Sequence, residues 1–192
     1  YVTIQQGLGF LLALIMVKGF KVVEAIDISW SSYFYRVAPL GVCFTIYLWG
    51  SNTAYKYLQP GLIQMIKPIG SCFVFAHACA FGVEVYSRAK ALNFFLISCG
   101  TLLTAAPELI RGVGGVAGSK PADISLGVCV LVGAYFCDAY YVVSIQRLQD
   151  IDFDPLSTFT YVAPIACVCM AFVAALTEPE AIHQIPKMNP WL

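Results

Sequence analysis

Residues 61–82, GLIQMIKPIGSCFVFAHACAFG, form an apolar run long enough to cross a bilayer, yet a lysine, Lys67, stands near its start. At ~1.5 Å of helical rise per residue the run reaches roughly 30 Å, the thickness of the hydrocarbon core. A cation deep in that layer costs about 2.5–3.5 kcal/mol on insertion scales, so it needs water, a protein partner or an anionic ligand. Read as a helix, the run places Gln64, Lys67 and Ser71 at i, i+3 and i+7 on one polar face, with Ile, Phe and Val side chains on the others. Two readings of Lys67 stay open at this level. Its amine either snorkels to the headgroups from near the helix end, or faces a central cavity as a binding cation.

The rest of the chain has the same character. Charged residues are 11% of 192, against about 25% in ordinary soluble domains, and mean hydropathy is +0.77. The fold class this predicts is an all-α membrane protein, a polytopic helical bundle. About six transmembrane helices are expected, at 7–23, 37–57, 61–82, 91–107, 124–145 and 155–176. Residues 24–36, with Trp30, Tyr33, Tyr35 and Arg36, read as interfacial. In the second span Thr45, Trp49, Asn52 and Lys56 recur at i, i+4, i+7 and i+11, a stripe that should face protein or water because lipid offers an amide no partner. The fifth span holds Asp138 among Tyr135, Tyr140, Tyr141 and Ser144. An acid at that depth is functional, or neutral and hydrogen-bonded, or ion-paired with Lys56 or Lys67.

Several function classes fall away. Formal net charge is zero and the basic residues form no run, so no electrostatic footprint for nucleic acid exists. The eight cysteines all lie in apolar runs and read as small buried hydrophobes rather than a disulfide scaffold. Cys167 and Cys169 lack metal-ligand spacing, and His77 and His183 are isolated, so neither metal nor other cofactor is expected. The glycine-rich segment 111–123 lacks the GK[ST] ending of a phosphate loop and reads as a flexible connection. No nucleophile turn, HExxH motif or facing aspartate pair is present, which argues against an enzyme. What remains is the polar lining of a site for a polar, anionic solute.

Loops after the first, third and fifth spans carry Lys18, Lys21, Arg36, Arg88, Lys90 and Arg147; the opposite side carries Lys56, Arg111, Lys120 and Lys187. The positive-inside rule puts the first set in the cytosol. The chain opens at Tyr1 without a methionine, shows no cleavable signal peptide, and ends just after an acidic, proline-containing stretch, so it is expected to be a fragment of a longer polypeptide.

Residues 39–67, PLGVCFTIYLWGSNTAYKYLQPGLIQMIK, resemble the triose-phosphate and nucleotide-sugar transporter families of the drug/metabolite transporter superfamily. Those families have a proline-led helix carrying an Asn, a Lys-Tyr pair, a short turn and a helix opening with Gln-x-x-Lys. Here these look like Pro39, Asn52, Lys56-Tyr57 and Gln64 to Lys67. Glu84, Tyr86-Ser87, the stretch 100–108 and Gln146-Arg147 are similar to later family elements. The resemblance implies ten helices in two inverted five-helix halves, of which this chain would hold the second to seventh. It implies a phosphate contact for Lys67, shared with a Lys-Arg pair that would lie beyond Leu192. The family's proline four residues after the lysine is replaced by Ser71, with Pro68 directly after Lys67 instead.

Resemblance and residues together lead to an antiporter working by alternating access. It would exchange a sugar phosphate or nucleotide sugar for phosphate or a nucleotide across the bilayer of the Golgi, endoplasmic reticulum or plastid. The substrate-binding residues would be Lys67, Gln64, Asn52, Lys56, Ser71, Tyr141 and Asp138, and a homodimer is compatible with this reading. A non-transporting scaffold or sensor with a transporter-like fold is the alternative.

Overall fold

A computed structural model of the chain describes residues 33–111, 114–116, 120–149 and 155–177. The expected first span at 7–23, most of the interfacial segment, the acidic loop 150–154 and the stretch after 177 lie outside the described residues. A π-helical turn, Tyr33–Val37, leads into α1 (Ala38–Ala54). There follow α2 (Pro60–Ile66), α3 (Ile69–Ala80), α4 (Arg88–Arg111), α5 (Pro121–Gln149) and α6 (Pro155–Thr177). Among the described residues three stretches are long and apolar enough to cross a membrane: Pro60–Ala80, Arg88–Glu108 and Ala122–Gln149; Thr160–Val173 is a shorter apolar helix.

The chain divides into two compact units, with the boundary inside α1. In the unit that holds residues up to Thr45 and from Asp154 on, α1 and α6 approach closely. A Cβ on Gly41 would lie 2.7 Å from Ile165 Cγ2, so only hydrogen fits there. Where apolar burial against lipid gives little driving force, such close approach and polar bonds between helices supply the adhesion. Thr45 Oγ1–H reaches Gly41 O (2.8 Å) and Ala166 O (3.5 Å), and Tyr33 O–H donates to Tyr161 O at 3.0 Å.

The second unit, Ile46–Phe153, contains a core of Ala54, Leu58, Leu62, Ile63, Ile66, Ala105, Ile124, Leu131 and Tyr135. Within it α3 packs chiefly on α5 and also touches α4, which receives α2 as well. Only 11% of the apolar window in α4 is buried, against 33% for Pro60–Ala80, so α4 is the peripheral helix of this unit. Its exposed Leu92, Phe95, Leu96, Leu102, Leu103 and Ile110 suit a lipid face.

The two ends of this unit differ. At one end the turn after α1 pairs with the segment before α5. Gln59 N–H donates to Gly114 O (2.9 Å) and Val116 N–H to Tyr57 O (3.2 Å), forming an antiparallel bridge between Leu58 and Gly115. Pro60 then starts α2 at a position where its missing N–H costs nothing, with Gln59 extended before it. Leu58 and Leu62 are fully buried beneath the bridge. At the other end the His77 ring sits edge-on to Phe136 (4.7 Å), Phe81 packs on Tyr140 (5.7 Å), and the Arg147 guanidinium lies 5.4 Å from the Phe81 centroid. His77 Nδ1–H donates to Phe73 O at 2.8 Å. Lys90 and Glu84 form a salt bridge at this same end. Successive loops thus alternate between the ends, as repeated crossings of a membrane require.

All eight cysteines are free, but the burial expected of them is not met. None is fully buried, and Cys129 is exposed.

Gly127 lies where α5 meets the turn after α1, and a Cβ there would stand 2.7 Å from Tyr57 Cβ and 2.9 Å from Leu58 Cγ. Gly127→Val in the full-length protein should therefore cost about 1–3 kcal/mol through overpacking. The same change at Gly133, which has open space around it, should leave the melting temperature in detergent unchanged. Equal melting temperatures for both variants would contradict this packing.

Candidate functional site

The site is built around a break in the helix that carries Lys67. Instead of one helix over 61–82, the chain forms α2 and α3 with Lys67 and Pro68 between them. Lys67 N–H still closes α2 on Ile63 O (3.1 Å), but Pro68 has no N–H to give the Gln64 carbonyl. Gly70 and Ser71 then donate three residues back, to Lys67 O (3.0 Å) and Pro68 O (3.1 Å), and the α ladder resumes. Both break residues keep right-handed dihedrals, Lys67 at φ −50°, ψ −41° and Pro68 at φ −60°, ψ −20°, so the axis tightens locally without unwinding. The lysine therefore sits at a discontinuity where backbone carbonyls lose their helical partners.

Gln64, Lys67 and Ser71 are all exposed, on the one face that their spacing predicts. Across from them α5 brings Asp138, which is half-buried and feels the positive charge of Lys67. Among the described residues no salt bridge joins the two. Tyr141, Tyr135 and Tyr47 stand within electrostatic reach of the same carboxylate. The Tyr135 ring lies against Gly70, whose missing side chain lets α5 approach directly after the break, since a Cβ there would be 3.5 Å from Tyr135 Cγ. The structure thus gathers Lys67, Asp138 and Tyr141 in one neighbourhood and adds Tyr47 and Tyr135.

The stripe expected on α1 is divided. Thr45 is buried, whereas Trp49, Asn52 and Lys56 are exposed. Asn52 Nδ2–H donates to Leu48 O of its own helix at 2.7 Å. Lys56 lies in the turn that leads to the paired end.

From Ser71 a cleft of about 610 Å3 continues away from the break, lined by Val74, Phe75, Ala78, Val83, Glu84, Phe94 and Gln146. Phe75 and Phe94 stack with centroids 4.8 Å apart. Of the sequence-expected site residues only Ser71 lines it. Glu84 and Gln146 were visible in the sequence as parts of family-like elements, whereas nothing local points to Phe94 or Val83. Among the described residues no cluster of three or more His, Cys, Asp or Glu side chains could hold a metal.

Helices of this length and apolarity define an all-α, multi-pass membrane protein, and its described residues place a lysine at a helix break with an acid within electrostatic reach. Comparison with known proteins refines this. The chain is similar to curated proteins of Arabidopsis thaliana that are each named a probable sugar phosphate/phosphate translocator. One is 32% identical over 165 residues, covering 84% of this chain and 43% of the relative. A second is 31% identical over 181 residues (93% and 48%), and a third 28% over 185 residues (94% and 50%). The chain spans about half the length of the curated relatives it matches. No family model and no solved structure matches it. The relatives are translocators by name and not enzymes, in agreement with the absence of a catalytic constellation in the sequence.

Charge coupling between Lys67 and Asp138 is testable. Lys67→Met and Asp138→Asn should each lower the melting temperature of the full-length protein, and the double variant should lose less than the sum, by about 0.5–2 kcal/mol. Strict additivity would show that the two charges do not act on each other.

Proposed function

We propose that this chain is part of a membrane antiporter that exchanges a sugar phosphate for phosphate by alternating access. The observation that carries the proposal is the placement of Lys67 at a helix break, exposed on one face with Gln64 and Ser71, where an anion can reach it. An ammonium with three donors suits a phosphate as a point charge, and carbonyls released at broken transmembrane helices recur at the sites of secondary transporters. The names of the relatives favour a sugar phosphate over a nucleotide sugar as cargo. Gln64, Ser71, Asn52 and Lys56 would orient or attract the substrate. Asp138 would hold the lysine away from lipid when no anion is bound, with Tyr141 beside it. The six described and expected spans correspond to one portion of a ten-helix transporter domain, set in a Golgi, endoplasmic reticulum or plastid membrane with residues 81–87 facing the cytosol.

Counterflow in proteoliposomes with the full-length protein tests this, using labelled phosphate against a panel of sugar phosphates and nucleotide sugars. Saturable exchange with at least one sugar phosphate is expected, and Lys67→Ala should reduce it by about tenfold or more, the worth of one charge-assisted contact. Absence of saturable exchange with every compound would overturn the transport reading. Ligand binding that is indifferent to Lys67→Ala would point instead to a scaffold or sensor.

A further inference from the structure

The cleft that begins at Ser71 has walls that do not match a hydroxyl-rich ligand. Val74, Phe75, Ala78, Val83 and Phe94 present carbon, and the stacked Phe75 and Phe94 rings offer flat apolar surface. The polar capacity of the walls is small. The Ser98 hydroxyl beside Phe94 is taken up by Cys72 Sγ at 2.7 Å, while that thiol also reaches Phe94 O at 3.1 Å. The Glu84 carboxylate is engaged by Lys90. That leaves Ser71 and Gln146 as the other polar side chains among the described residues that line the space. A volume of about 610 Å3 admits a hexose body, so size does not discriminate here and wall chemistry must.

Ser71 lies one helical turn beyond Lys67 on the same face. A phosphate held by Lys67 would therefore direct the remainder of its ester into this cleft. Each hydroxyl that leaves water for such walls without a partner is penalised, whereas an apolar or planar body gains contact. We propose that the cleft is the subsite for the non-phosphate body of the cargo and selects, among sugar phosphates, those whose bodies carry few hydroxyl groups, so that a phosphate monoester with an apolar body serves as a competing probe. This deepens the function proposed above and rests on it.

Inhibition of phosphate/phosphate exchange in proteoliposomes of the full-length protein measures the preference directly. Phenyl phosphate should inhibit best, glycerol 3-phosphate less and glucose 6-phosphate least, with about tenfold between the extremes. Val74→Asn, which adds a hydrogen-bonding group to the wall, should narrow that ratio to about threefold or less. Val85→Asn, at a position 86% exposed and outside the cleft, should leave the ratio as it is. Glucose 6-phosphate matching phenyl phosphate would overturn the inference while leaving phosphate transport in place. So would a ratio that Val74→Asn does not move although exchange persists. Loss of all phosphate exchange in the wild-type protein would instead remove the transport reading and this inference with it.

Discussion

A charged amine inside a membrane protein is tolerated only where the structure keeps it from hydrocarbon. In this chain Lys67 stands within a stretch, Pro60–Ala80, that is long and apolar enough to cross a membrane. The break at Lys67 and Pro68 puts the lysine where backbone carbonyls are released. Gly70 lets α5 come close enough to bring Asp138 and Tyr135 to the same level. Leu62, Ile63 and Ile66 of α2 bury themselves in the core while Gln64 and Lys67 stay exposed.

The fold was largely legible in the sequence because bilayer thickness dictates the length of an apolar run. The runs after residue 60 appear as helices near their expected places, although α4 and α5 extend beyond the apolar stretches into polar flanks such as Arg88 and Gln149. A helix ends where its hydrogen bonds end, and hydropathy marks only where lipid does. The break was not legible as such. Pro68 stood in view as a departure from a family pattern, but a proline near the start of a long run also fits a helix that merely kinks.

The site was legible only where it is local. Gln64, Lys67 and Ser71 share a face because helical periodicity demands it, and that face is exposed. Thr45 fitted the same arithmetic on α1, yet it is buried against α6, because periodicity says which residues share a side and not which neighbour that side meets. Tyr47, Phe94 and Val83 reach the site or its cleft through packing between distant segments, for which no short motif exists. The names of the relatives give those proteins a cargo class, a kind of information that periodicity does not carry.

The bridge between Leu58 and Gly115 joins two loops through main-chain groups rather than side chains. Its bonds are indifferent to most substitutions in those loops, which leaves the loop surface open to drift while the fastening persists. It also unites segments that enter the membrane at different moments of synthesis, with the whole of α2, α3 and α4 between them. The fastening must wait until the later loop has been delivered to the same side, so a stalled or misoriented α4 would leave Leu58 and Leu62 without the Gly114 and Gly127 backbone that packs on them.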